Sequence, residues 1–376
     1  MKTVRWAVGG AALVLSFGMA ACGSLREPGE GGTLTPASTS PGATGGTGAS
    51  SFTIGLLLPG VRTARYEKFD RPYITQEIAV LCPACEVVYA NAGEDPDRQR
   101  QQVDAMLTAG ARVLILDAVD ARAIAPSVAK ARQRGVRVVA YDRLAEGPVD
   151  AYTSFDNVQV GRMQGEALLN ALKKGGDPGR GPIVMINGSP ADPNAGEFKK
   201  GAHSVLDGRV DVGREYDTPD WSADRAGTAA AEAFTVLGPD EVIGVYSAND
   251  GMAGGVARAI RDAGMPESTP LTGQDADLAA IRRILLGAQT MTVYKPIKPE
   301  ARNAARLAFD LGSGRTARGT TTVDNGSGSP IPALIIQPIL VTRDNIKETV
   351  VEDGFWTVEE ICAGDIRAAC KAAGLP

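Results

Sequence analysis

From Phe52 to Tyr294, short apolar runs alternate with longer helix-like stretches, and no other feature constrains the fold as strongly. Phe52–Leu58 is almost continuously apolar, the pattern of a strand buried on both faces. Further strands read at 86–90, 112–117, 136–141, 183–187, 242–247, 271–273 and 290–294, with helical patterning between them. Strand, helix, strand repeated in this way means parallel strands whose crossover helices cover both sheet faces. There are more units than one sheet needs, and the pattern restarts at 151–157. The expected class is α/β, with two doubly wound parallel-sheet lobes.

Composition narrows the function. Of 376 residues, 44% are hydrophobic, 22% charged and 5% aromatic, which suits a globular chain and excludes a polytopic membrane protein. A net charge of −5 offers no basic stripe for nucleic acid, so no nucleic-acid partner is expected. His203 is the single histidine and lies in an amphipathic helical stretch, where it reads as a surface residue. No His-rich metal site can be assembled, and neither a metal nor a cofactor is expected. Gly45-Gly46-Thr47-Gly48 lacks a preceding strand and any Gly-Lys-Ser/Thr, so it is not a phosphate loop.

The N-terminus reads as an address. Lys2 and Arg5 precede an uncharged apolar run, Trp6–Ala21, and then Cys22. This resembles a bacterial lipoprotein signal peptide (residues 1–21) cleaved before a lipidated Cys22, which would hold the exported protein by lipid alone to the outer face of the cytoplasmic membrane. Removing Met1–Ala21 takes away Lys2 and Arg5 and no acid, leaving 37 basic against 44 acidic residues, a net charge of −7. Residues 22–51 read as a flexible tether, because all but five residues of Pro28–Ser51 are Gly, Ser, Thr or Pro.

Four further cysteines form two close pairs, Cys82/Cys85 and Cys362/Cys370, and in an oxidising compartment local pairing is favoured among the three possibilities. A reactive Cys-x-x-Cys sits at a helix N-terminus, whereas Cys82 follows the helical stretch 66–81. A structural disulfide is therefore expected there, and Cys362–Cys370 should staple the tail.

In sheets of this kind ligands bind beyond the carboxyl ends of the strands. The residues at those positions are Asp142-Arg143, Ser189–Asn194, Asn249-Asp250, Gln274-Asp275 and Lys295. A monosaccharide presents hydroxyls on a ring with apolar faces, and its complement is a set of Asp, Asn, Arg and Lys side chains with aromatic platforms. Tyr66 and Trp221 are the candidate platforms. Bland roles compete: Asn249 and Asp250 are both good helix N-caps, one of Asp275 and Asp277 can cap the helix 278–286, and Asp192 and Asn194 can be turn residues. Our reading puts Asn249 on the ligand and Asp250 on the helix.

Ala140–Arg143, Thr153–Asn157, Gly188–Pro190 with Asn194-Ala195, Asn249-Asp250, Gly273–Leu278 and Thr290–Pro296 together resemble bacterial D-xylose-binding proteins of ABC importers, over residues 52–356. The resemblance implies a type I periplasmic-binding-protein fold with three crossovers, an N-terminal lobe of 52–152 plus 296–338, and a C-terminal lobe of 153–295 plus 339–376. It implies a monomeric, non-catalytic receptor that takes a pentose, D-xylose foremost, to a permease with a separate ATPase. Carried over by motif, the sugar ligands are Arg65, Tyr66, Asp142, Arg143, Asn194, Trp221, Asn249, Asp275 and Lys295. Two departures bear on the choice of sugar: Tyr66 stands where the family usually has Trp, and Pro59-Gly60 where it tends to have acids. A sugar-sensing receptor for a signalling system is the alternative. A glycosidase would need a protonated carboxyl, and Arg143 and Lys295 beside Asp142 and Asp275 argue against one.

Overall fold

Helices pack on both faces of the first apolar run and make it a central strand. The structure, a computed structural model, describes residues 51–375; the expected signal peptide, the lipidation site Cys22 and nearly all of the tether lie outside the described residues. Strands β1 (Thr53–Leu58), β2 (Glu86–Asn91), β3 (Ala111–Leu116), β4 (Arg137–Tyr141) and β5 (Ala151–Phe155) pair in parallel in the order β2-β1-β3-β4-β5. The chain then crosses to a second sheet, where β6 (Pro182–Asn187), β7 (Asp211–Asp217) and β8 (Gly244–Ser247) pair in the order β7-β6-β8. After β9 (Thr292–Tyr294) it returns: β10 (Thr321–Val323) and β11 (Ile331–Ile336) extend the first sheet, β11 parallel to β5 and β10 antiparallel at the edge. A third crossing leads to β12 (Ile339–Val341), antiparallel to β9.

Helices α1 (Arg71–Leu81), α2 (Pro96–Thr108) and α3 (Ala125–Gln133) belong to the first lobe. The second lobe holds α4 (Asn157–Lys174), α5 (Pro193–Leu206), α6 (Ala223–Leu237), α7 (Asp250–Asp262) and α8 (Leu278–Leu286). Helix α9 (Ile297–Gly312) packs beside α1 on the first sheet, and the short α10 (Val358–Ile361) and α11 (Arg367–Ala372) pack against α8. One core joins β1, β3 and β4 to α1 and α9, and another fills the opposite face beneath α2 and α3. None of the described helices is long and apolar enough to cross a membrane.

Several expectations change. Residues 153–155, assigned above to the second lobe, complete β5 in the first sheet, because a strand cannot leave its ladder midway. The run 271–273 shrinks to a single parallel bridge, Val245 to Leu271, and β9 pairs antiparallel with β12 instead of extending the parallel sheet. The helical stretch 66–81 begins with a wider π-helical turn, Tyr66–Asp70. Strand β7 went unread because its charged edge sequence carries no apolar run. Both local disulfides are present, Cys82–Cys85 at the C-terminal end of α1 and Cys362–Cys370 in the tail.

Candidate functional site

Both sheets have their switch point at the first strand, between β1 and β3 and between β6 and β8, and loops from these ends face one another. They enclose a cavity lined by Thr63, Arg65, Tyr66, Asp142, Arg143, Asp192, Asn194, Phe198, Trp221, Asn249, Gln274, Asp275 and Lys295. All nine ligand candidates from the sequence line it. It encloses only about 20 Å³, room for little more than one water, so a larger guest enters only if the lobes part.

Local geometry explains how each group is held. Arg65 is 2% exposed and lies within 2.5 Å of Asp142, 2.7 Å of Asp70 and 2.9 Å of Glu300. Burial alone would weaken its hold on the proton, but Asp142, Asp70 and Glu300 together raise its pKa well above the ordinary value. Its Nη1 contacts Asp142 without an aligned hydrogen bond. Arg143 places Nε 2.7 Å from Asp192 and donates through Nη2 to the Tyr66 hydroxyl at 3.2 Å and through Nη1 to the Ala118 carbonyl. Across the cleft, Asn194 Nδ2 donates to Asp142 Oδ1 at 2.7 Å. Burial pushes the Asp142 carboxyl up, but Arg65, Lys295 and Arg143 outweigh it and hold the group below its usual value. Lys295 lies 2.9 Å from Asp275, although this contact leaves Asp275 Oδ1 without an aligned donor. Burial lowers the Lys295 pKa, Asp275 and Asp142 raise it further than burial lowers it, and the ammonium stays charged.

Aromatic rings bound the remaining sides. Trp221 donates Nε1 to Asp192 Oδ2 at 3.2 Å and lies against Gly188, where a Cβ would sit 2.1 Å from the indole. Phe198 meets Trp221 edge to face, with centroids 6.3 Å apart.

The backbone marks the same place. Among the described residues, six non-glycine residues have φ in the left-handed region, and five of them line or adjoin the cavity: Asp142, Asp220, Trp221, Asp275 and Ala276. The sixth, Glu94, accepts the backbone N–H groups of Val61 and Arg62 and so shapes the first loop. Such conformations persist where surrounding structure over-determines them, and they gather at functional sites. At Asp142 that structure is visible, since its carbonyl accepts from Tyr152, Ser154 and Asn194.

The division between Asn249 and Asp250 comes out differently from the sequence reading. Asn249 Oδ1 caps α7 by accepting from Met252 N at 2.9 Å, while its residue still lines the cavity. Asp250 caps nothing; its carboxylate accepts from Gln289, Thr292 and the Asp277 backbone, tying α7 to β9. Asp192 caps α5 and also lines the cavity, and the N-cap of α8, Asp277, makes no side-chain capping bond. His203 contacts Asp207 and Glu215 away from the cavity.

Sequence reasoning passed over Asp70, Glu300, Asp117, Thr63 and Phe198. Phe198 lies one turn after Asn194 on α5, so helical spacing puts the two on one face and could have revealed it. Asp117 directly follows β3 and satisfies the same strand-end rule as Asp142. Glu300 meets Arg65 across 235 residues, and no local pattern announces that contact.

The comparisons agree with this architecture. The family described as "Periplasmic binding protein domain" matches residues 55–316. The D-xylose-binding periplasmic protein of Escherichia coli (strain K12) is 34% identical over 319 residues, covering 83% of this chain and 93% of that protein. Its counterpart from Haemophilus influenzae is 35% identical over 314 residues, 82% of this chain and 91% of that one. An ABC transporter solute binding protein from Clostridium phytofermentans, solved with bound β-D-glucose, superposes with a TM-score of 0.75 at 25% identity, covering 82% of this chain and 99% of that one. With two α/β lobes enclosing a polar, aromatic-walled cavity at their switch points, this chain belongs to the type I periplasmic sugar-binding-protein family, whose members are receptors and not enzymes.

Proposed function

We propose that this protein is an extracytoplasmic receptor that captures a monosaccharide, D-xylose first among candidates, and delivers it to an ABC permease driven by a separate ATPase. The observation that carries this reading is the convergence of Asp142, Asn194, Asn249, Asp275, Arg143 and Lys295 with Tyr66, Phe198 and Trp221 on one cavity. Ionised carboxylates and amides accept and donate to ring hydroxyls, and the rings cover apolar C–H faces. The name shared by two relatives at 34–35% identity favours D-xylose. In this reading Cys22 carries the lipid, the protein works as a monomer, and Arg65 acts mainly by orienting Asp142. The glucose-bound relative makes D-glucose the competitor to measure against.

Isothermal titration of the mature, unlipidated protein against D-xylose, D-glucose, L-arabinose, D-ribose and D-galactose tests the proposal. Micromolar or tighter binding of D-xylose alone is the expected result. Tighter binding of D-glucose would reassign the sugar, and silence across the panel would remove the monosaccharide reading.

A further inference from the structure

A second, larger cavity of about 420 Å³ lies where the chain crosses between lobes after β5. The first lobe contributes Glu146, Tyr152 and Asp324 to its wall, the second contributes Glu197, and the crossing itself contributes Phe155, Asp156 and Asn157. Among the described residues, four carboxylates line it and no lysine or arginine does. Outside the lining, Arg122 lies 3.5 Å from Glu146 on a side chain 88% exposed to water, and Lys200 offsets only part of the burial that raises Glu197. Asn157 is 2% exposed, yet neither its Oδ1 nor its Nδ2 has an aligned hydrogen-bond partner. Glu197 is near enough to feel the Asn157 amide as a donor but makes no aligned bond with it. A buried amide left unpaired costs about 1–3 kcal/mol, so a partner entering the cavity has something to gain there.

The lining decides what kind of partner that is. Among the described residues, no group of acids stands close enough to hold a metal ion. The carboxylates are spread around walls that also carry Leu144, Ile335 and the Tyr152 and Phe155 rings. Separated negative charges joined by apolar and aromatic surface complement a short methylene chain with an ammonium at each end: the heads meet the carboxylates, the stem lies on the hydrocarbon, and rings favour cations. We propose that this cavity, which adjoins the cleft and shares Asn194 with it, is a binding site for a small aliphatic diamine.

The test is isothermal titration of the mature protein with 1,5-diaminopentane, beside 1,5-pentanediol, which has the same length and no charge, and calcium chloride. The expected result is saturable binding of the diamine and none of the diol, with affinity falling at least fivefold in Glu197→Gln and again in Asp324→Asn. Both residues are exposed, and neither lines the cleft, so both variants should fold and keep wild-type behaviour there. Absence of diamine binding, equal binding of the diol, unchanged affinity in both variants, or binding of calcium in place of the diamine would each overturn the proposal.

Discussion

Asp117 shows how far a single residue can depart from its usual chemistry. It is fully buried, both its oxygens lack aligned hydrogen bonds, and its nearest cation, Arg143, is 3.6 Å away and already engaged by Asp192. Burial first, with Asp142 and Asp192 adding to it, holds its carboxyl well above the ordinary range against the pull of Arg143 and Arg65. In the unfolded chain the group titrates near 3.9. A raised folded pKa means that the native state holds the proton more tightly, so this contribution is complete at acid pH and is lost as pH climbs towards the folded value. Asp117→Asn should therefore raise the melting temperature at pH 8, by the equivalent of about 1 kcal/mol or more, and flatten the decline between pH 5 and 8. Thermal scans across pH would show this, and parallel curves would mean that Arg143 keeps the group ionised. At the cleft, Trp221→Ala and Asp275→Ala should each weaken sugar binding at least tenfold, about 1.4 kcal/mol, with the fold intact. Calorimetry reads the loss, and wild-type affinity in both would exclude them from the site.

Helices α4 and α5 cross so closely that a Cβ on Gly161 would lie 1.9 Å from the Phe198 carbonyl oxygen. The obstacle is backbone, so Gly161→Ala must push the helices apart at a cost of about 1–3 kcal/mol. Because α5 carries both Asn194 and Phe198 into the cleft, the same change should lower sugar affinity, and melting temperature with calorimetry would measure the two effects together. The disulfides belong to the opposite case. Cys82–Cys85 closes a three-residue separation and Cys362–Cys370 an eight-residue one, and neither pair lines the cleft. Chain-entropy reasoning assigns about 2 kcal/mol to the first and somewhat more to the second. Replacing both cysteines of the tail pair with serine should lower the melting temperature more than replacing the α1 pair, with sugar affinity unchanged in each.

Across the whole molecule, the lobes meet at the cleft lips through Arg62, which donates to the Asp220 carbonyl at 3.1 Å and lies 3.9 Å from its carboxylate. Both side chains are about half exposed, which limits the pair to a fraction of 1 kcal/mol. Arg62→Ala should accordingly speed sugar release by no more than about fivefold and leave association nearly unchanged, as stopped-flow kinetics would show. Trp221 and Trp356 are the tryptophans among the described residues, and Trp356 is buried with Nε1 bonded to the Ala276 carbonyl. A sugar-dependent change in tryptophan emission should therefore disappear in Trp221→Phe.

What the sequence determined by itself was the alternation of strands and helices, and with it the edge at which the candidate site lies. Asp142, Asn194 and Asn249 were legible because each stands just past a strand or opens the helix that follows, and Asp275 because it follows the short run 271–273 that holds the Leu271 bridge; these signals are local. Tertiary structure alone decided which partner each charge takes. Arg65 is bound by Glu300 from 235 positions away, and Asn249 rather than Asp250 caps α7 because Gln289 and Thr292 claim the Asp250 carboxylate. Tertiary structure also left Asn157 buried without a partner in an acidic cavity. Periodicity is written into neighbouring residues, whereas the pairing of buried charges depends on which distant elements burial brings together.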